Sequence, residues 1–204
     1  MIPSSAGRGR SIAKFCLGLL VGAGLLLTGV YVYVASGRAP VSTFDPNLPF
    51  EELLTSRALQ AKFSRRAPPV SPIAESDANL RAGARLYVQQ CAECHGLPVG
   101  PVTKTASGMF PPPPQFFHGP GVTNDPVGEI YWKTVYGIRL TGMPGFRGSL
   151  PDTEVWQISL LLAAAKRLPS DVEKDLETAA IKGQQSSQVN RRAPAGPAAT
   201  VKSF

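Results

Sequence analysis

The sequence predicts an all-α protein, a small helical domain carried behind an N-terminal membrane-spanning helix. Three observations predict it. The run Phe15 to Val34 holds no charge over 20 positions, the length a helix needs to cross a hydrocarbon core. Between Ser76 and Leu168 three segments carry apolar residues at helical spacing, with capping residues at their ends. No stretch alternates apolar and polar residues as a half-buried strand does.

The elements follow in chain order. Arg8, Arg10 and Lys14 precede the uncharged run and only Arg38 follows closely. The positive-inside rule then puts the N-terminus in the cytoplasm and everything after Ser36 outside. Tyr31 and Tyr33 fall at the outer end, where interfacial aromatics belong. A cleaved signal peptide is the competing reading. Its apolar core normally runs about 7–15 residues before a small-residue cleavage site, and Ala35-Ser36-Gly37 would serve as one. Under either reading the bulk of the chain is exported. Cys16 is a small apolar residue facing lipid and has no assigned role. Residues 1–36 are therefore read as cytoplasmic N-terminus and anchor.

Residues 37–75 read as a linker. They hold "APVSTFDPNLP", a short amphipathic stretch from Phe50 to Phe63 that suits a helix near the membrane surface, and "RRAPPVSP". Arg65 and Arg66 read as a solvated pair in preference to lipid contacts. Residues 76–182 are the folded domain. Ser76 or Asp77 caps its first helix, through "ANLRAGARLYVQQ", with Leu80, Gly83, Ala84 and Tyr87 on one face. Asp125 starts the second, "PVGEIYWKTVYG", where Pro126 suits the first turn and Gly137 the stop. The third is "PDTEVWQISLLLAAAKRL". Acids stand in its first turn, Lys166 and Arg167 in its last, and Pro169 lies beyond, all matching the helix dipole. Val155, Ile158, Ser159 and Leu162 share its stripe. A weaker fourth helix is expected at Ser170 to Ile181. The tail, residues 183–204, is polar and rich in Pro, Ala and Gly, and reads as disordered.

Composition narrows the class. Gly and Pro number 20 each in 204 residues, so loops are extensive, and three cysteines do not make a disulfide scaffold. The net charge of +7 suggests nucleic acid until it is located. The part before Ser76 carries +4, Ser76 to Leu168 only +2 and the remainder +1. A nucleic-acid binder concentrates basic charge on its folded domain, so no nucleic-acid partner is expected.

The chemistry sits in "CAECHG", Cys91 to Gly96. A thioredoxin-like redox pair belongs at a strand-to-helix turn, whereas this pair follows a helix and no sheet is predicted. A zinc site needs four ligands, and the only other Cys and His are Cys16 in the apolar run and His118. The remaining reading is attachment of a c-type haem. Cys91 and Cys94 each bond one vinyl group and His95 coordinates the iron. Both vinyls lie on one side of the macrocycle, which suits the spacing, and an exported chain suits the attachment.

One axial position of the iron then remains, with Met109, Met143 and His118 as candidates. Met143 lies in "IRLTGMPGF". Pro144 stiffens the chain beside the sulfur, and Gly142 and Gly145 permit a tight backbone. Met143 is favoured. Met109, before "FPPPPQFF", reads as packed or exposed.

"CAECHG", "MFPPPPQFF" and "GEIYWKTVYGIRLTGMPGF" resemble the membrane-anchored monohaem c-type cytochromes of bacteria, with class I cytochrome c domains near those called cytochrome oxidase subunit III-like. The resemblance covers about Asn79 to Leu168 and is absent from the tail. It implies a small helical wrap around one covalent haem c and its iron, with first and last helices crossing. Cys91 and Cys94 would then form the thioethers, His95 the proximal ligand and Met143 the distal one. Gly83 and Tyr87 would meet the last helix near Trp156 and Leu160. A proline carbonyl would accept a hydrogen bond from the other nitrogen of His95. Pro114 is the best match and Pro101 the runner-up. Trp132 and Tyr136 would line the haem pocket, though both also suit plain core positions. His118 has no counterpart and reads as a surface loop residue.

His/Met ligation leaves no open position on iron, and no other catalytic constellation is apparent. The expectation is an electron carrier and not an enzyme. It would be held by its N-terminal helix in a bacterial inner membrane, with the haem domain in the periplasm, serving redox partner proteins. The alternative is a haem-bearing subunit of a larger dehydrogenase, reductase or oxidase.

Overall fold

The computed structural model describes residues 5–118 and 124–192. It divides into two compact units, Met1–Glu51 and Glu52–Phe204. The first is dominated by α1 (Ser5–Ala35). Its segment Ser11–Ala35, 25 residues, is long and apolar enough to cross a membrane. A signal sequence near the N-terminus meets the same criterion. The helix stops where Gly37 adopts a φ of 72°, a conformation that costs glycine nothing.

The second unit holds α2 (Glu51–Arg66), α3 (Asp77–Gln90), α4 (Ala92–His95), α5 (Lys104–Ser107), α6 (Val127–Tyr136), α7 (Asp152–Ala163) and α8 (Ser170–Arg192). Among the described residues there is no strand, only an isolated bridge between Arg147 and Leu150. The all-α class stands.

The core forms where α3 crosses α7. Ser76 caps α3 through its hydroxyl, which accepts from the Asn79 amide at 3.4 Å. Leu80, Ala84 and Tyr87 are buried with Ile158, Leu160 and Leu161. Gly83 makes the close approach possible. A Cβ there would overlap the backbone carbonyl of Gln157 and lie 3.2 Å from Leu161 Cβ. The crossing therefore falls at Gln157 and Leu161, beside the expected Trp156 and Leu160. Trp156 turns to α6 and stacks on Tyr131, with centroids 3.9 Å apart.

Two boundaries differ from the sequence reading. Residues 52–75 belong to the compact unit and are not wholly linker. Phe63 is 4 % exposed and meets Trp132 edge-on at 5.3 Å, with Lys133 Nζ 4.7 Å over its ring. Past α2, the Pro68 carbonyl lies against Gly128, where no Cβ fits. Glu75 pairs with Arg167, whose Nη2 donates to Oε2 at 2.9 Å. That bond holds the Glu75 carboxyl below its ordinary range. At the other end, α8 runs past the expected stop at Ile181 to Arg192. The first part of the tail expected to be disordered is thus helical, and its remainder lies outside the described residues.

Candidate functional site

α3 ends at the Cys91 backbone, whose amide donates to Tyr87 O at 2.9 Å, and α4 carries Cys94 and His95 through one short turn. Gly96 closes that turn with a φ of 74°. Loops on both sides fix the motif. Thr103 Oγ1 donates to Glu93 O at 2.6 Å and Thr105 Oγ1 to Glu93 Oε1 at 2.8 Å. Tyr87, fully buried, donates its hydroxyl to Gly96 O at 2.7 Å. Gln115 Nε2 donates to Cys94 O at 3.0 Å and to Pro113 O at 3.1 Å.

His95 is oriented from two directions. Its Nδ1 lies 2.9 Å from Pro114 O, and Phe116 stacks on the ring at 4.4 Å and 15°. A carbonyl only accepts, so Nδ1 carries the proton and Nε2 keeps a free lone pair. Burial lowers the His95 pKa, partly offset by the Pro114 bond, so the ring is neutral at pH 7. Burial, with the neighbouring Cys94, pushes the Cys91 thiol up to about 12.

Cys91, Cys94, His95 and Met143 all line one cavity of about 230 Å³. Its other walls include Pro114, Phe116, Ile130, Ile158 and Leu162. The donor set therefore fits haem c: two free thiols, an imidazole with its Nε2 lone pair available, and a soft thioether in an apolar chamber. Among the described residues no three His, Cys, Asp or Glu side chains are grouped to hold a metal ion of their own.

The Met143 loop is held by α6. Gly137 ends that helix with a φ of 66°, and the chain returns across the terminus. Phe146 N donates to Thr134 O and Arg147 N to Val135 O, both at 3.0 Å. These bonds satisfy carbonyls that the helix end would otherwise leave open. Thr141 Oγ1 accepts from the Met143 amide at 3.1 Å and donates to Ile138 O at 2.7 Å. Gly145 lies on the last turn of α6, where a Cβ would stand 2.7 Å from the Tyr136 carbonyl carbon.

The structure places the other candidates as follows. Pro114, not Pro101, contacts His95. His118 Nε2 lies 2.8 Å from Leu97 O on an exposed loop and is not part of the cavity wall. Met109 lines the same cavity as Met143, packed against Gly142. Trp132 and Tyr136 do not line it, which corrects the role the resemblance implied. On α6 the cavity is faced by Ile130, Lys133 and Thr134, at helical spacing. Trp132 and Tyr136 share a different face, 4.9 Å apart, and Arg147 sits over Tyr136 at 5.6 Å. Sequence reasoning missed Phe116 and Gln115, for which "PQFF" was the available signal. It also missed Leu59 of α2, a cavity residue in a segment read as linker.

Residues 78–161 match the family model described as Cytochrome C oxidase, cbb3-type, subunit III. The matched segment begins in α3 and ends in α7, leaving out α1, α2 and α8. No curated protein and no solved structure matches the chain significantly.

Proposed function

Since residues 78–161 form a class I c-type cytochrome domain, whose kind binds haem c with its iron and transfers electrons, we propose that this protein is a membrane-anchored electron carrier. It holds one covalent haem on the periplasmic side of a bacterial inner membrane and passes electrons between partner proteins. Bound haem c supplies a one-electron ferric/ferrous couple. Cys91 and Cys94 would hold it by thioethers, and His95 and Met143 would supply the nitrogen and sulfur donors to its iron. The carrying observation is His95, whose Nδ1 bond to Pro114 leaves Nε2 as the available donor in a cavity that also receives Met143. Pro114 and Phe116 fix the ring so that no reorientation accompanies electron transfer. The Met143 thioether favours the ferrous state and raises the potential. Apolar walls exclude water, and ligation by both side chains leaves no position for a substrate. The protein is accordingly read as a carrier and not as an enzyme.

A second reading is a haem-bearing subunit of a larger dehydrogenase, reductase or oxidase, favoured by the oxidase subunit named in the matching family. Mild detergent extraction and sizing separate the two: a carrier migrates alone and a subunit brings its complex.

Haem should stay with the polypeptide after acid-acetone precipitation, at one haem per chain. Haem in the solvent, or a second haem, contradicts the reading. Met143→Ala should lose the far-red sulfur-to-iron band, lower the potential and gain carbon monoxide binding. His118→Ala should remain six-coordinate. An unchanged Met143→Ala spectrum and potential removes the ligand assignment and the main support for a carrier.

A further inference from the structure

The segment before the matched domain contributes to the cofactor's surroundings. α2 ends well before residue 78, where the family match begins, yet Leu59 lines the cavity that holds Cys91, Cys94, His95 and Met143. α2 is fastened to the domain beside that cavity by Phe63, four residues on and so on the same helix face. Phe63 is 4 % exposed, meets Trp132 at 5.3 Å and lies under Lys133 Nζ at 4.7 Å. Lys133 is itself held by Asp125 at 2.5 Å and Glu129 at 2.9 Å, and both Lys133 and Asp125 line the cavity. Gly128 receives the Pro68 backbone just past the helix.

We propose that α2 is a built wall of the haem site, with Leu59 the residue that tunes the cofactor and Phe63 the clamp that keeps it in place. This rests on the haem reading above. Leu59 adds apolar surface where water would otherwise reach the cavity. A drier site disfavours the more charged oxidised centre, so Leu59 acts to raise the reduction potential. Leu59 is a positioning and tuning residue, since it neither ligates nor reacts. The roles of Trp132 and Lys133 follow from the same geometry. Trp132 anchors the wall from outside the pocket, and Lys133, which itself lines the pocket, sits over the Phe63 ring.

The test uses the full-length holoprotein in detergent and reads the reduction potential, the visible spectrum and the thermal midpoint together. Leu59→Asn should keep covalent haem and the far-red band yet shift the redox equilibrium on the order of tenfold toward the oxidised form, which is 59 mV for one electron. Leu59→Met should restore the wild-type potential. A wall that only stabilises the fold would lower the thermal midpoint and leave the potential unmoved, and that result overturns the proposal. Where Leu59→Asn fails to mature, Phe63→Ala decides, because it loosens α2 without touching the cavity. It should move the potential the same way, and an unmoved potential there also overturns the proposal. Failure of the haem reading is distinguishable, because the wild-type chain would then carry no covalent haem.

Discussion

Gly142 and Gly145 flank the Met143–Pro144 pair, and the atoms around them make opposite demands. A Cβ on Gly145 would stand 2.7 Å from Tyr136 C and 2.9 Å from Val135 O, both backbone atoms of a helix end that cannot yield. A Cβ on Gly142 would meet only the methyl end of Met109, a flexible side chain that can swing aside. Gly145→Ala should therefore push the loop off α6, at roughly 1–3 kcal/mol, and weaken or abolish the far-red sulfur-to-iron band. Gly142→Ala should retain it. The band and the thermal midpoint of the two variants check this, and equal behaviour would refute the packing argument. The Gly-Met-Pro-Gly frame was legible in the sequence because its residue types are rare in ordinary core. What was not legible is which glycine is sterically obligatory, since that depends on the atom opposite. His95 and Pro114 divide similarly. The histidine follows from local spacing, whereas its acceptor lies 19 residues away and came only by resemblance.

Helices α3 and α7 were readable from periodicity because each buries one stripe in a single core, and amphipathic patterning reports that directly. Helix α2 was recognised as amphipathic but given the wrong partner. Its apolar residues fit a surface helix as well as a docked one, and only the pairing of Phe63 with Trp132 separates the two. The same contact explains Trp132, whose helical face was ambiguous until α2 covered it. At the crossing of α3 and α7, Gly83→Ala should cost about 1–3 kcal/mol, because the new methyl overlaps the Gln157 carbonyl and rigid backbone offers no room. For a domain of this size each kcal/mol lowers the thermal midpoint by about 4–8 °C, readable by circular dichroism. A wild-type midpoint would show that the helices can separate freely. The tie between the stretch before α3 and the turn after α7 is electrostatic and pH-dependent. The Arg167 hydrogen bond depresses the Glu75 carboxyl below its unfolded value. Its contribution is therefore complete above pH 4.5 and is lost as pH falls through the lower folded value. The pair is largely solvent-exposed, so the loss should stay below about 1 kcal/mol. Glu75→Gln should flatten that part of the acid-unfolding curve, and an unaltered curve would mean the pair contributes nothing.

Across the whole molecule the charge pattern and the apolar run make one statement about place. Most of the net charge of +7 lies before residue 76, and Arg8, Arg10 and Lys14 precede the uncharged run within α1. If that basic flank is retained in the cytoplasm, as the positive-inside rule predicts, the span is oriented with the rest of the chain outside, where haem attachment to Cys91 and Cys94 would take place. The uncharged run of 20 residues, Phe15 to Val34, is longer than the apolar core of about 7–15 that a cleaved signal normally has. The prediction is an uncleaved anchor. The haem-bearing chain should remain in membranes through high salt and alkaline carbonate and leave only with detergent. Protease added outside spheroplasts should release the haem domain and leave α1 behind. Ala35→Phe, which would block processing at the small-residue site, should leave the mature chain the same length, its mass changed only by the substitution itself. A soluble mature protein beginning near Arg38 would mean that α1 is a signal sequence, and the protein would then be a diffusing carrier.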